Sequence, residues 1–357
     1  MSIQTRIPFQ KPDKINKKLY VITAIINQVR FLSRWNTYFA FEKHVIDSGA
    51  VLVTVEYAFG EREFVIKEPY NENHIIVQRR TSSEIWTKEN AMNLGMQYLP
   101  PDWEYVCFSD ADFHFLDPNW VDNCLHKLQH YPVIQMFNQV TYLGPYGQVI
   151  NTRMSFASRW LHGLDFSSHG KKISNKIFEK PRAFLPAVDL AYRDQQYQNE
   201  GGKASDDWGP PGGAWAYRRK ELEEVGGNID FCILGSADWY QAAGIIGFME
   251  QAIPPEYGAE FRRQLLNWQD IALKAWRKNM GVMEQTAVHY FHGSFKDRRY
   301  GKREVILKDN WYNPLTDVKY STQGVIILHD DGSERMRLLR DQCRQYFHVR
   351  NEDDLSM

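Results

Sequence analysis

The stretch "YVCFSDADFHF", Tyr105 to Phe115, changes abruptly from apolar to acidic residues. Its first four residues are aromatic or apolar, which predicts a short strand covered on both faces of a sheet. Side chains of an extended chain alternate between faces, so Asp110, Asp112 and His114 would share one face just beyond that strand. Carboxylates at this spacing repel one another unless a cation lies between them. The sequence therefore predicts a bound cation where the strand ends.

Length and composition fit a folded globular protein with one large or two ordinary domains. The 357 residues are 43% hydrophobic and 14% aromatic, which is ample for a core. The formal net charge of -1 excludes a generally cationic protein made to bind polyanions. Any nucleic-acid surface must therefore be a local patch.

Cysteine spacing and hydropathy predict a soluble protein of a reducing compartment. The four cysteines are far apart and show no metal-binding spacing: Cys107, Cys124, Cys232 and Cys343. Residues 1–18 are a polar leader, and no stretch approaches the ~20 apolar residues of a membrane span. We expect free thiols and a cytoplasmic location, in the host cytoplasm if the protein is viral.

Strand and helix patterns alternate through residue 135. "KLYVITAII" and "AVLVTVEYAF" are typical of buried strands. "SRWNTYFAFEKHVIDSG" and "TKENAMNLGMQYL" predict helices with a Ser and a Thr as their N-caps. This order indicates an α/β fold with a mostly parallel sheet between helices, and such sheets bind ligands at the carboxyl ends of their strands.

The second half of the chain is less regular. Residues 161–211 are loop-like and rich in Gly, Lys, Asp and Pro, a composition found in functional or disordered loops. "AWAYRRKELEEVGGNID" then predicts a strand, a helix and a glycine turn, and "GSADWYQAAGIIG" predicts the start of another helix. A short strand at "VIIL" and a charged helix at "SERMRLLRDQCRQYF" close the chain.

With these motifs in this order, residues 19–300 resemble the GT-A glycosyltransferases. The resemblance implies a Rossmann-like domain with a nucleotide-sugar-binding half at 19–135 and an acceptor-binding, catalytic half at 136–300. Residues 301–357 would be a C-terminal extension that ends in a helix. The segment "HYFHGSFKDRRYGKR" further resembles a phage and giant-virus branch related to the glucosyltransferases of hydroxymethylated DNA bases.

The resemblance implies a nucleotide-sugar donor, expected to be UDP-linked such as UDP-glucose, and a Mn²⁺ or Mg²⁺ ion that offsets the charge of its diphosphate. Asp112 would hold the metal, and Asp110 would bind the ribose or reach the metal through water. His292, with His289 close behind it, would complete the protein ligands. His114 is a third candidate, and a histidine bonded to a backbone carbonyl is the structural alternative for each.

The resemblance implies that the donor is recognised by residues near the exits of the first two strands and by a basic segment near residue 300. The candidates for the nucleoside and phosphates are Thr23, Ala24, Asn27, Arg34, Glu56 and Lys88. Lys296, Arg298 or Arg299 would clamp the diphosphate. Each of these side chains could equally serve the fold alone.

Asp238 matches the position of the general base of an inverting glycosyltransferase. Many family members carry an acidic pair there, whereas this chain has Ala237 before Asp238. Asp238 could instead stabilise the first turn of a helix, which would leave Asp206 or Asp207 as the base, and a retaining enzyme would need no such base.

The acceptor stays open between two classes. Lys171 and Lys172, within the basic loop 170–182, together with the C-terminal resemblance favour modified bases in DNA. Aromatic residues would suffice for a saccharide or glycoprotein, and the tryptophans 86, 208, 215 and 239 could stack on a sugar or simply fill the core. A nucleotide-sugar-binding protein without turnover is a further alternative, which the intact Asp110, Asp112 and Asp238 argue against.

Overall fold

The structure is a computed structural model that describes residues 17–163, 208–294, 298 and 300–355. Within these ranges the strands are, in chain order, β1 (Leu19–Ile26), β2 (Val51–Phe59), β3 (His74–Thr81), β4 (Tyr105–Ser109), β5 (Phe113–Phe115), β6 (Val133–Gln135), β7 (Gln139–Leu143), β8 (Val149–Met154), β9 (Ala214–Arg218), β10 (Met280–Val282), β11 (Thr286–His289), β12 (Val318–Tyr320) and β13 (Ile326–Leu328). The helices there are α1 (Leu32–Asp47), α2 (Lys88–Met96), α3 (Trp120–Lys127), α4 (Phe156–Leu161), α5 (Arg219–Val225), α6 (Ala237–Ile246), α7 (Met249–Ala252), α8 (Ala259–Trp276), α9 (Tyr300–Asp309) and α10 (Glu334–His348).

The central sheet has seven strands in the order β10-β6-β9-β4-β1-β2-β3. Every strand runs parallel to the others except β9, which is antiparallel to both β4 and β6. Helices cover the sheet, so β1 and β2 are buried almost throughout, as their runs of Val, Ile and Leu predict. The predicted α/β fold class, a mixed and mostly parallel sheet flanked by helices, is confirmed.

A second sheet, in the order β5-β11-β7-β8, explains how distant segments meet beyond β4. The short strand β5 follows Asp112 directly and pairs antiparallel with β11, with Phe113 opposite His289. The backbone N–H of Tyr290 also donates to the Asp112 carbonyl oxygen at 2.8 Å. This pairing places β11, which carries His289, beside the acidic stretch.

Packing between α2 and the central sheet is close because α2 carries Gly95 on its inner face. A Cβ atom at Gly95 would lie 2.6 Å from Cγ2 of Ile22 in β1 and 3.1 Å from Cγ2 of Val55 in β2. Contacts this short are impossible for a larger residue without a shift of the helix. Gly95 therefore sets how closely the helix that begins with Lys88 approaches the sheet.

Several local predictions are confirmed, and the predicted N-cap of α1 is wrong. The helix at "SERMRLLRDQCRQYF" begins after Ser333, whose hydroxyl accepts the Met336 N–H, and all four cysteines are buried and free. In α1, Phe31 and not Ser33 holds the N-cap position, and the carboxylate of Asp353 accepts the N–H groups of the first turn. A tertiary partner replaces the local cap there.

The α2 N-cap is correct in position only. Thr87 precedes the first helical residue, but its side chain makes no capping hydrogen bond and its buried Oγ1 has no partner among the described residues.

No helix within the described ranges is long and apolar enough to cross a membrane.

Candidate metal centre and adjoining pocket

Three side chains from two sheet segments converge just beyond β4. Asp112 lies in the turn between β4 and β5, His289 ends β11, and His292 lies three residues further along the chain. One potential ligand atom from each residue lies within 4.8 Å of those of the other two. Among the described residues, these three form the group that could hold a metal ion. The order of the strands therefore creates a cluster that no short motif contains.

The distances within this cluster fit a shared cation. Oδ2 of Asp112 lies 2.8 Å from Nε2 of His292 and 3.7 Å from Nε2 of His289. Neighbouring ligand atoms of an octahedral ion with bonds near 2.1 Å are about 3 Å apart. The second oxygen of Asp112, Oδ1, is buried and has no hydrogen-bond partner among the described residues, which is costly unless a cation satisfies it. One carboxylate and two imidazoles are a donor set for divalent transition metals, and its carboxylate is a ligand type that Mn²⁺ prefers.

The cluster is charged in the way that metal binding requires. Burial lowers the pKa of His289 to about 3, despite the nearby Asp112 carboxylate, so its imidazole is neutral at physiological pH. Burial alone would raise the pKa of Asp112, but His289, His292 and Arg298 together hold it below its usual range. A neutral imidazole and an ionised carboxylate are the forms that bind a metal.

His114 lies on the far side of β5, away from this cluster. Its ring stacks on that of His44 with 3.8 Å between centroids, and its Nδ1 lies 3.2 Å from the Tyr290 hydroxyl. The His44 Nε2 accepts the Phe115 N–H at 3.0 Å. The third histidine candidate thus belongs to a stacked pair that supports β5.

Asp110 faces a different environment from Asp112. Its Oδ1 accepts a hydrogen bond from Nζ of Lys88 at 2.7 Å, and that Nζ also lies 3.5 Å from Oε1 of Glu89. Lys88 and Glu89 are the first two residues of α2. Asp110 and Lys88 line one pocket, together with Gly212, Gly213, Trp215 and Asp238.

Electrostatics in this pocket depend on one lysine among carboxylates. Burial alone would lower the pKa of Lys88, but Asp110, Glu89 and Asp238 raise it well above its usual value. Burial raises the pKa of Glu89 to about 7, although Lys88 opposes the shift, and burial also raises the pKa of Asp110. The ammonium group therefore stays charged, and further anionic charge here requires a further cation.

Asp238 lies in the first turn of α6 at the edge of the same pocket. Its Oδ1 accepts the backbone N–H of Trp239 at 2.9 Å. A Cβ atom at Gly212 would lie only 2.4 Å from its Oδ2, so the glycine leaves room for the carboxylate in its present rotamer. The carboxylate is half-buried and faces the space that Asp110 and Lys88 also line.

The proposed nucleoside contacts at the exits of β1 and β2 bind other parts of the protein. The Thr23 hydroxyl donates to the Ser109 carbonyl at 2.8 Å, and the Asn27 amide bonds both backbone groups of Phe31. Ala24 is partly buried against the core. These bonds fix the loop after β1.

Glu56 is likewise engaged within the protein. Its buried carboxylate accepts the N–H groups of Val65 and Ile66 and a bond from the Gln78 amide. These contacts hold the 60–66 loop against β2.

The predicted basic clamp is only partly described. Arg298 is buried, and its Nε donates to the Gly293 carbonyl at 3.3 Å. Its charge helps to lower the pKa of Asp112, after the larger effects of burial and the two histidines. Other predicted residues lie outside the described residues: Lys171, Lys172, Asp206, Asp207, Lys296 and Arg299.

Glu352 is part of the site, and the sequence analysis missed it. Its side chain is fully buried and its Oε2 lies 3.3 Å from Nδ1 of His292. Arg34 binds both carboxylate oxygens at 2.7 Å, and Arg350 binds Oε1 at 2.7 Å. An acidic residue in the polar stretch "RNEDD" carries no local sign of burial, because all but one of these partners lie far away in the sequence.

The tryptophans mostly pack in the interior. Trp208 is 2% exposed and stacks on Trp239 at 4.6 Å between ring centroids. Trp215 is also buried, and its Nε1 donates to the Pro211 carbonyl at 2.7 Å. Trp86 donates from Nε1 to Glu89 at 3.0 Å. Core packing accounts for Trp208 and Trp215.

Comparisons with known proteins give remote matches only. No protein-family profile and no curated protein sequence matches this chain. Among solved structures, Drosophila β1,4-galactosyltransferase 7 in complex with manganese, UDP-Gal and xylobiose is 12% identical, with a TM-score of 0.29 over 65% of this chain and 62% of that one. S. aureus TarS in complex with UDP-GlcNAc is 15% identical, with a TM-score of 0.28 over 73% and 89%.

Likenesses of this size identify neither a fold nor a function. The aligned part spans 62% of the length of the Drosophila chain. Any assignment of activity must therefore come from the residues of this chain.

Proposed function

We propose that this chain is a metal-dependent glycosyltransferase of the GT-A type that moves a sugar from a UDP-linked donor to a hydroxyl acceptor. One observation carries the proposal: the cluster of Asp112, His289 and His292 begins two residues after Asp110, which lines a pocket together with Lys88 and Asp238. Both lie at the carboxyl end of β4, where open α/β sheets bind their ligands. The motif order in the sequence supports the same assignment.

Each residue has a role in a single displacement. A divalent cation held by Asp112, His289 and His292 would supply Lewis-acid stabilisation of the leaving diphosphate. Lys88 adds a fixed positive charge in a partly dehydrated pocket, where it stabilises developing negative charge more strongly than in water. Asp110 keeps that ammonium group in place through its bond of 2.7 Å.

Asp238 is the group we assign as general base of an inverting reaction. The acceptor oxygen forms a bond to the anomeric carbon while the bond from that carbon to the diphosphate oxygen breaks, and the hydroxyl proton passes to the Asp238 carboxylate. Its Oδ1 is oriented by the Trp239 N–H, and Gly212 leaves room beside Oδ2. This arrangement orients one oxygen, and the other lies beside Gly212, which lines the same pocket.

Two acceptor classes follow from different parts of the molecule. The resemblance of "HYFHGSFKDRRYGKR" favours hydroxymethylated bases in DNA. The β7–β8 hairpin favours a saccharide, because the Tyr142 ring packs 5.1 Å from that of His289 and Tyr146 at the hairpin tip is 81% exposed. Aromatic rings of this kind bury apolar sugar faces while their hydroxyls stay in water.

The direct test is hydrolysis and transfer with purified protein, Mn²⁺ and a panel of nucleotide sugars. We expect Mn²⁺-dependent release of UDP. One of the two acceptor classes should increase the rate of that release. Binding to hydroxymethylated duplex should fall steeply with salt if DNA is the acceptor, and reversal of the charges at Lys171 and Lys172 should weaken it. Donor binding without hydrolysis or transfer to any acceptor would indicate a binding protein and contradict the enzymatic proposal.

A further inference from the structure

The structure assigns a role to Glu352: we propose that it is a positioning residue that holds the His292 ring with Nε2 directed at the metal site. The inference rests on the proposed function, since it concerns the same metal centre. It makes the C-terminal segment after α10 a working part of that centre.

The first step is the orientation of the His292 ring. Nδ1 lies 3.3 Å from Oε2 of Glu352, while Nε2 lies 2.8 Å from Oδ2 of Asp112. A carboxylate accepts hydrogen bonds only, so each of the two carboxylates favours a proton on the ring nitrogen that it faces. A cation bound by Oδ2 of Asp112 would take the place of the proton on Nε2, and the proton that remains on Nδ1 then has Glu352 as its acceptor. Glu352 therefore matches the form of the ring that binds a metal through Nε2.

The second step is that Glu352 is itself held rigidly. Arg34 donates from Nε and Nη2 to its two oxygens, and Arg350 donates from Nη2 to Oε1, each at 2.7 Å. Arg34 also donates from Nη1 to the Ile26 carbonyl at the end of β1 at 2.7 Å. Paired forks of this kind fix direction as well as charge. The carboxylate is therefore anchored to the central sheet.

The third step is that the backbone around His292 accommodates the C-terminal segment. A Cβ atom at Gly293, where φ is +88°, would lie 2.8 Å from the Cα atom of Glu352. A side chain there would push the segment away from the histidine. The residue after Glu352 adds a separate anchor, because the Asp353 carboxylate accepts the N–H groups of Leu32 and Ser33 at 2.9 and 2.8 Å.

Partners of metal-bound histidines act by fixing the tautomer and the ring plane, and their loss typically costs about 10- to 100-fold in metal affinity. Glu352→Gln keeps the size of the side chain but removes the charge and offers an acceptor of lower strength. We expect it to raise the Kd for Mn²⁺ by about this factor. The measurement is the free Mn²⁺ signal in electron paramagnetic resonance during titration with the metal alone.

Asp353→Asn is the matched control, since it alters the neighbouring carboxylate of the same segment without touching His292. We expect an unchanged Kd for Mn²⁺ in this variant. A second control combines Glu352→Gln with His292→Ala: if Glu352 acts through the ring, the added substitution should leave the affinity of His292→Ala unchanged. Additive losses would overturn the positioning role.

Glu352→Asp covers the case in which Glu352→Gln fails to fold because Arg34 and Arg350 lose the charge of their shared carboxylate. It keeps the charge for Arg34 and Arg350 but shortens the reach toward His292, so a raised Kd with a retained fold supports the proposal. A wild-type Kd in either folded variant overturns it. If the wild-type protein itself binds no Mn²⁺, the proposed function fails, which is a distinct result.

Discussion

The two aspartates of the acidic stretch stand two residues apart and meet opposite surroundings. Asp110 is bonded to an ammonium group at 2.7 Å, whereas Asp112 faces two imidazoles and has a buried oxygen that no described residue hydrogen-bonds. A protein cation already balances Asp110. Under the proposed function, the motif therefore supplies one metal ligand, Asp112, and one anchor for Lys88, Asp110.

The difference follows from what each carboxylate packs against. Asp110 turns toward the start of α2, which Gly95 lets approach the sheet. Asp112 turns toward β11 and the segment after it, which pair with β5. Two elements from distant parts of the chain thus divide a three-residue motif between two functions.

The largest expected effect comes from Asp112→Ala. The variant should lose measurable Mn²⁺ binding and, with it, Mn²⁺-dependent binding of UDP, because a central ligand is gone. Thermal stability should change little, since the carboxylate lies at a strand exit and the loss relieves an unsatisfied oxygen. Calorimetric titration of UDP with and without Mn²⁺ measures both effects.

Asp110→Asn tests whether Asp110 differs from Asp112 in its effect on Mn²⁺ binding. It leaves an acceptor for Lys88 but removes the charge, so we expect Mn²⁺ affinity within a few-fold of wild type together with weaker UDP binding. Equal loss of Mn²⁺ affinity in both variants would show that the two carboxylates share the metal.

The next effect concerns turnover alone. Asp238→Asn should lower transfer by roughly 10²-fold or more while donor and Mn²⁺ affinities persist, because an amide cannot take the acceptor proton. Asp230→Asn, at a half-buried carboxylate that accepts the Tyr320 hydroxyl outside the pocket, should leave kcat in place. Unchanged transfer in Asp238→Asn would assign Asp238 to the helix terminus alone.

The contributions of His44 and Glu89 to stability should change with pH in opposite directions. Beneath β5, burial and His114 lower the pKa of His44 to about 4, so the unfolded state takes up this proton first and stability falls as pH drops from about 6.5 to 4. Burial raises the pKa of Glu89 to about 7, so its contribution is present below about 4.5 and is lost as pH rises through 7.

Chemical unfolding of His44→Gln and Glu89→Gln across this range tests these signs. The first variant should lose less stability than wild type toward pH 4, and the second should lose less as pH rises from 4.5 toward 8. His130→Gln, at an exposed site, should follow the wild-type curve. Slopes of the same sign for the first two variants would remove the electrostatic contrast.

The smallest effect is expected from Asp353→Asn. Asparagine still accepts the N–H groups of Leu32 and Ser33, so only the interaction of the charge with the α1 terminus is lost, about 0.5 kcal/mol. The midpoint of urea unfolding should shift slightly and depend on salt. A decrease of several kcal/mol in the free energy of unfolding would mean that the segment anchors the whole domain.

Much of the fold could be predicted from the sequence because its signals are local. The buried strands β1 and β2, the strand before the acidic stretch and the Ser333 cap all follow from residue patterns within a few positions. Two of the three clustered ligands, Asp112 and His289, end or follow strands, where such patterns are informative. The family resemblance supplied the histidines.

Long-range partners could not be predicted in this way. The sequence indicated Ser33 as a cap, but the helix begins at Leu32, and the N–H groups of Leu32 and Ser33 meet Asp353, 320 residues after Ser33. Glu352 meets His292 across 60 residues and Arg34 across 318, and nothing in its neighbours signals burial. The division of labour between Asp110 and Asp112 likewise depends on which distant element each one faces.

The central claim is that a metal bound by Asp112, His289 and His292 serves nucleotide-sugar transfer. The most direct measurement is anomalous diffraction from crystals grown with Mn²⁺ and UDP, recorded at the manganese absorption edge. We predict a single strong peak in contact with Asp112, His292 and His289, with the diphosphate on its open side toward Lys88. A peak bound to Asp110 in place of Asp112, or UDP bound with no manganese beside it, would contradict the account.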